Sequence, residues 1–78
     1  MPKLPRISGK EIIRALERLG FIQVRQRGSH VIMAKFTEEV KTGCAVPLHK
    51  IVAVGILSGI LKQTKVSHEE FISVLYTI

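Results

Sequence analysis

The chain has 78 residues, a formal net charge of +6, 46% hydrophobic residues and one cysteine. A chain this short cannot fill two stable cores, so we expect one domain over residues 1–78 without a large buried cofactor cavity. A single cysteine excludes an internal disulfide. The longest apolar run, Ile51–Leu61, is too short and too interrupted by glycine to cross a bilayer, and the N-terminus lacks the apolar core of a secretory signal, so we expect a cytoplasmic protein.

The first predicted helix has clear signals at both ends. Prolines disfavour helix in residues 1–7 and predict an extended lead-in. Ser8 and Glu11 have the spacing of a capping box, in which each residue satisfies a free backbone amide of the other. Gly20 supplies the left-handed conformation that commonly ends a helix. We therefore predict a helix between Ser8 and Gly20.

This helix combines an apolar stripe with a row of positive charge. The stripe consists of Ile12, Ile13, Leu16 and Leu19. Lys10, Arg14 and Arg18 recur every four residues and form what we call the basic ridge. Residues 1–30 carry seven Lys or Arg against two Glu, so one end or face of the protein should be positive. Such a face suits RNA or an acidic protein, although a solvated helix face explains the ridge almost as well.

The middle of the chain predicts a β-hairpin. Residues 21–27 favour a strand, Gly28-Ser29 fits a two-residue type II′ turn, and residues 30–36 favour the return strand. The expected partners are Arg27 with His30, Arg25 with Ile32 and Val24 with Met33. One face then holds Ile22, Val24, Val31 and Met33, which we expect to pack on helices. The other face holds Gln23, Arg25, Arg27 and His30.

The remaining elements complete an α+β pattern. A polar connection over residues 37–42 leads to a short third strand over residues 43–46, which Pro47 closes. Residues 54–65 predict a second helix, and a capping box at Ser67 opens a last helix. Its expected buried stripe is Phe71, Ile72 and Leu75. The order α-β-β-β-α-α predicts a three-stranded antiparallel sheet with helices on one face and the other face open.

His30 is the residue that we predict to be catalytic. It follows the glycine turn and should project from the same sheet face as Arg25 and Arg27. An imidazole titrates near neutral pH, so it can take a proton from a ribose 2′-hydroxyl or give one to a departing 5′-oxygen. Neighbouring guanidiniums can hold the phosphate and stabilise the charge that develops on it. An exposed strand histidine without a role is the alternative that the residues leave open.

Other candidate residues carry weaker signals. His49 follows Val46-Pro47-Leu48 and fits either a second proton carrier or substrate-binding donor, or a cap before the next helix. Cys44 lies in an apolar strand without an adjacent base, which favours a packing residue over a reactive thiolate. The histidines are too far apart for a zinc site, so we predict neither a metal nor a cofactor. Residues 51–61 should be mainly core, and their excess of apolar side chains can mark a protein interface.

Several motifs occur in an order that resembles HicA-type toxins. They are Ser8-Gly9-Lys10-Glu11, Leu19-Gly20-Phe21, Arg25-Gln26-Arg27-Gly28-Ser29-His30, Val46-Pro47-Leu48-His49, and Gly55-Ile56-Leu57 leading to Ile60-Leu61-Lys62-Gln63. The resemblance covers nearly the whole chain. Its most distinctive part is Gly-Ser-His after a basic strand, followed downstream by Val-Pro-x-His. Residues 50–54 depart from the family, which is commonly charged there, and Ile56 replaces the usual threonine.

The resemblance implies a double-stranded-RNA-binding-like fold and the activity of an mRNA interferase, a metal-independent endoribonuclease. It also implies neutralisation by a HicB-type antitoxin in a type II toxin–antitoxin pair. The catalytic histidine of the family falls on His30. The RNA-binding residues that we predict are Lys10, Arg14, Arg18, Arg25, Arg27, Ser29 and His49. Either a homodimer or a hetero-oligomer with the antitoxin is compatible with these features.

Two other functions remain compatible with the sequence. The first is a non-catalytic module that binds RNA through the basic face of the first helix and hairpin, and such a module would tolerate loss of His30. The second is a subunit that only binds a protein partner through residues 51–61. Its RNA affinity would not respond to salt, whereas binding to a phosphate backbone weakens steeply as salt rises.

Overall fold

Three helices and three strands make up the fold in the computed structural model, which describes residues 3–76. The elements are α1 (Gly9–Arg18), β1 (Ile22–Arg27), β2 (His30–Phe36), β3 (Lys41–Pro47), α2 (Val54–Thr64) and α3 (His68–Leu75). The strands form one antiparallel sheet in the order β1-β2-β3. The predicted α+β class and element order are confirmed, and the arrangement is compatible with a double-stranded-RNA-binding-like fold.

The two faces of the sheet differ in what covers them. Val31, Met33, Cys44 and Val46 are buried and belong to the same hydrophobic cluster as residues of all three helices. We call this the inner face. The opposite, outer face carries His30, Ile32, Ala34 and Phe36 of β2, together with their partners on β1 and β3. Because the helices all pack on the inner face, His30, Ile32 and Phe36, which alternate with the core along β2, can be reached by a ligand. Ala34 lies on the same face but is only 1% exposed.

The first helix begins and ends as its sequence predicts. The Ser8 hydroxyl accepts a hydrogen bond from the Glu11 amide at 3.1 Å, and the Glu11 carboxylate accepts one from the Ser8 amide at 3.1 Å. Gly20 has a φ of 96°, and the Phe21 amide donates to the Leu16 carbonyl at 3.0 Å. This pattern satisfies the last helical carbonyls that would otherwise lack partners. A second capping box opens α3 at Ser67, also as expected.

The core lies between the helices and the inner face. Its largest fully buried side chains are Phe71, Ile12, Leu16, Met33, Leu57, Leu61, Val46 and Val52. Each such side chain contributes about 1.5–3 kcal/mol by leaving water. Ile12, Ile13 and Leu16 of the α1 stripe and Phe71 of α3 are core residues, as predicted. Leu19, Ile72 and Leu75 are partly buried against the core.

The first strand does not follow the prediction completely. The pairs Arg27 with His30 and Arg25 with Ile32 are confirmed, but Met33 lies opposite Gln23 instead of Val24. A β-bulge between Gln23 and Arg25 inserts one extra residue and reverses the alternation beyond it. The prediction that Ile22 and Val24 share the helix-covered face with Val31 and Met33 is wrong: Ile22 is 54% and Val24 is 48% exposed.

The third strand is longer than predicted, running from Lys41 to Pro47. The Thr37 amide donates to the Val40 carbonyl at 2.9 Å, so the turn is tight and pairing starts directly after it. Pro47 belongs to the strand because it lies at the sheet edge beside His30, where its missing amide costs no ladder hydrogen bond.

The lead-in is tied to the segment before α2. The Val52 amide donates to the Ile7 carbonyl at 2.7 Å, and both side chains are buried. The part of the expected extended lead-in at residues 1–2 lies outside the described residues. The helix α2 matches its prediction to within one residue. Within residues 3–76, no helix has the length and apolar character needed to span a membrane.

Candidate active site

His30 is exposed on the outer face at the start of β2. Its directly opposite partner on β1 is Arg27, and Arg25 lies one pair further along, opposite Ile32. Side chains of directly opposite residues begin about 5 Å apart, and diagonal neighbours about 7–8 Å apart. A solvent-exposed imidazole therefore lies beside two cationic side chains. This arrangement can bind the phosphate of a phosphodiester and transfer a proton next to it.

The turn before His30 depends on the backbone freedom of Gly28. Gly28 has a φ of 59°, a left-handed conformation that a type II′ turn requires at this position. The Gln26 side-chain amide donates to the Gly28 carbonyl at 3.0 Å and holds the turn closed. Because the two-residue turn fixes which flanking residues pair, it places His30 directly opposite Arg27. This pairing could therefore be predicted from the sequence.

Two distant segments join this turn through backbone hydrogen bonds. The Leu48 amide donates to the Ser29 carbonyl at 2.7 Å, and the Gly9 amide donates to the His49 carbonyl at 3.0 Å. The start of α1, the β1–β2 turn and the chain after β3 therefore meet at one end of the sheet. His49 is exposed and follows Pro47, the β3 partner of His30, by two residues. The structure thus brings both histidines to the same end.

Gly9 is a site-supporting residue whose role the sequence did not reveal. A Cβ atom built on Gly9 would lie 2.0 Å from the Pro47 carbonyl oxygen and 3.1 Å from the Leu48 Cα. Real Cβ atoms do not approach backbone atoms so closely, so α1 can contact the Pro47-Leu48 backbone only through a glycine. The available signal was a glycine in the first turn of a helix, where it lowers helix propensity without serving as a C-cap.

Comparison with known proteins gives the family of this chain. Residues 9–66 match the family model described as HicA toxin of bacterial toxin-antitoxin. The chain belongs to the HicA toxin family. Membership makes it the toxin of a toxin–antitoxin system and implies an antitoxin partner. No significant match was found among curated proteins or among solved structures.

The basic ridge of this HicA toxin lies apart from His30. Lys10, Arg14 and Arg18 are exposed on α1, in the helical layer behind the sheet. The Arg18 guanidinium donates to the Val74 carbonyl at 2.7 Å, in the last turn of α3, where the helix dipole favours a cation. Lys10 is the ridge residue nearest the histidine end, because it directly follows Gly9. The predicted RNA-binding residues therefore form two basic surfaces, one on the hairpin and one on α1.

Residues 50–56, where the sequence departs from the pattern expected of HicA toxins, lie largely at the surface. Leu57, Ile60 and Leu61 are buried, so the later part of residues 51–61 is core as expected. Ile51 is 64% exposed, and Ile56 is 46% exposed. Both positions lie in the segment where the sequence departs from the pattern that its resemblance implied. The expected excess beyond the core therefore exists, and it is concentrated before and in the first turn of α2.

Cys44 should resist alkylation while the protein is folded. Its side chain is buried on the inner face, and burial raises the pKa of the Cys44 thiol from 9.0 to about 11. This increase in the pKa lowers the fraction of reactive thiolate at pH 8 by about a hundredfold. We expect iodoacetamide labelling, followed by mass spectrometry, to accelerate at least that much in denaturing urea. Equal rates in the folded and unfolded protein would show that the thiol is accessible.

Proposed function

We propose that this HicA toxin is a metal-independent endoribonuclease that cleaves messenger RNA by acid–base catalysis, with His30 as its catalytic residue. In this proposal a HicB-type antitoxin of a type II pair holds it inactive in the cytoplasm, and residues 1–78 form one RNA-cleaving domain. One observation carries the proposal most directly: an exposed imidazole lies opposite Arg27 on the uncovered face of the sheet.

The reaction that these residues support is attack by the ribose 2′-oxygen on the neighbouring phosphorus. His30 removes the 2′-hydroxyl proton as the 2′-oxygen bonds to phosphorus. The bond from phosphorus to the 5′-oxygen breaks, and the departing oxygen receives a proton. The products are a 2′,3′-cyclic phosphate and a 5′-hydroxyl. Because the proton removed and the proton supplied balance, the reaction needs no oxidant, reductant or added nucleophile.

His49 and the two hairpin arginines complete this scheme. His49 lies at the same end of the sheet. In this proposal it returns a proton to the 5′-oxygen. Arg25 and Arg27 would hold the phosphate and stabilise its extra negative charge in the transition state. The Ser29 carbonyl accepts the hydrogen bond from the Leu48 amide. In this proposal the side chain of Ser29, which is exposed, contacts the RNA backbone through its hydroxyl.

The decisive experiment compares RNA with a 2′-deoxy substrate. We expect the purified toxin to cleave an all-ribose oligonucleotide in the presence of EDTA and to leave 2′,3′-cyclic phosphate ends, detected by mass spectrometry. The same oligonucleotide carrying 2′-deoxyribose at each cleaved position should stay intact, because it lacks the attacking oxygen. Cleavage of the deoxy substrate, or products that end in 3′-hydroxyl groups, would contradict the proposed chemistry.

A non-catalytic RNA-binding module is the second candidate. The observation that favours it is the separate ridge on α1, because exposed cations there add RNA affinity without serving His30. Such a module would bind the all-ribose oligonucleotide with an affinity that falls steeply with salt and would return it uncleaved. The same substrates therefore separate the two functions.

A further inference from the structure

The outer face is unusually apolar for an uncovered surface. Phe36 is 57% exposed and Ile22 is 54% exposed, and both lie on this face together with the half-buried Ile32. Exposed apolar side chains that share one face mark an interaction surface more often than scattered ones do. The inner face already supplies the core, so folding alone does not account for this second apolar surface.

These side chains form a strip that starts at His30. Along β2, Ile32, Ala34 and Phe36 follow His30 on the same face, and we call them the outer track. At about 3.3 Å per residue, the track is about 20 Å long from His30 to Phe36. Ala34, which is buried, lies beside Gly43, and these two small residues line a depression of about 410 Å³ bordered by Val24, Arg25, Ile32 and Lys41.

The charge around the track is positive. The three strands contain no aspartate or glutamate, and they present Arg25, Arg27 and Lys41 beside the track. The Lys41 ammonium lies 5.7 Å from the centre of the Phe36 ring. An exposed aromatic ring with a cation at its face combines a stacking surface for a base with a contact for a phosphate. Glu38 and Glu39 lie in the turn that follows Phe36 in the chain, beyond the far end of the track.

We propose that the outer track binds single-stranded RNA leading away from the cleaved bond, with one unpaired base stacked on Phe36. This inference rests on the proposed nuclease function, because the track is continuous with His30. Its length fits about three nucleotides in an extended strand. Sequence-tolerant recognition of this kind is common where proteins bind unpaired bases on exposed aromatic side chains. The track would recognise the ring of any base, purine or pyrimidine, together with the phosphate that follows it.

Binding to an uncleavable RNA tests the track without depending on catalysis. The probe is a fluorescently labelled, fully 2′-O-methylated oligonucleotide, which lacks the attacking hydroxyl, and anisotropy reports its affinity. We expect Phe36→Ala to weaken binding about tenfold, the effect of losing one stacked base. Tyr76→Ala is the matched control, because Tyr76 is an aromatic residue, 69% exposed, in the helical layer. It should bind like the wild type, and both variants should keep the wild-type melting temperature.

A second variant and a change in substrate length test the track by means other than the Phe36 substitution. Lys41→Gln should weaken binding and reduce the salt dependence by about one phosphate contact. Trimming a cleavable RNA to fewer than about three nucleotides on one side of the cleaved bond should lower kcat/KM, and in Phe36→Ala this length effect should shrink.

The outcomes distinguish this inference from the nuclease proposal. If the wild type cleaves RNA but Phe36→Ala and Lys41→Gln bind the probe unchanged, the track proposal is overturned and the nuclease proposal stands. If the wild type cleaves nothing but binds the probe through Phe36, the track stands and the nuclease proposal fails. If Phe36→Ala spares RNA binding and weakens only copurification of the coexpressed antitoxin, the face belongs to a protein partner and the track proposal is overturned.

Discussion

Replacing His30 with alanine should lower the rate of RNA cleavage by about 10²–10⁴-fold, the contribution of one positioned acid–base group. His30 is exposed and does not belong to the buried core, so the free energy of unfolding should change by less than about 0.5 kcal/mol. Affinity for an uncleavable RNA should change little, because Arg25 and Arg27 remain on the same face. Single-turnover cleavage of a labelled RNA measures the rate, and urea unfolding measures the stability.

His68→Ala provides the matched control for this loss. His68 is the first residue of α3 and lies in the helical layer, away from the outer face. Its replacement should leave cleavage within about twofold of the wild type. His49→Ala should also slow cleavage and should remove one limb of the pH–rate profile, since one proton carrier would then be missing. Equal cleavage by the wild type and His30→Ala would remove His30 from the mechanism.

Replacing Gly9 with alanine should be the most damaging change that touches no charged or catalytic group. The new Cβ atom would lie 2.0 Å from the Pro47 carbonyl oxygen, and neither the helix nor the strand end can yield by a side-chain rotation. We expect a loss of about 3 kcal/mol or more in the free energy of unfolding, at or above the upper end for overpacking. The hydrogen bond from Gly9 to His49 should break, and RNA cleavage by the remaining folded protein should fall with it.

Gly59→Ala is the control for a glycine in a helix. Gly59 lies inside α2, and no heavy atom would approach a Cβ built on it to within 4 Å. This substitution should stabilise the protein by about 0.5–1 kcal/mol, because alanine favours the helix. Urea unfolding of both variants gives the comparison. A Gly9→Ala protein as stable as the wild type would mean that α1 does not press against the Pro47-Leu48 backbone.

The parts of the fold that depend on neighbours in the chain were predictable. Ser8 and Ser67 cap helices through residues three positions away, and Gly20 ends α1 through its own backbone conformation. The turn at Gly28 sets the pairing of Arg27 with His30 in the same local way. These signals involve a few adjacent residues, so the sequence displays both partners of each interaction.

The bulge in β1 is a feature that neighbouring residues in the chain do not predict. Ile22 and Val24 alternate as core residues of a regular strand do, yet one extra residue between Gln23 and Arg25 leaves both exposed. A bulge depends on how the strand fits its partner and the layer beneath it, and no residue type in this strand announces it. The exposure of Ile22 and Val24 was therefore not predicted, although both residues are visible in the sequence.

The sequence by itself determined the helices, the hairpin, the predicted catalytic imidazole with Arg27 opposite it, and the α+β order. The tertiary structure alone decided that His49 shares the end of the sheet with His30, that Gly9 must be a glycine, and that the basic ridge lies in a separate layer. The reason is the range of the interactions involved. Caps and turns are closed by residues within a few positions, whereas the contact of Gly9 with Pro47 joins segments that only the packed core brings together.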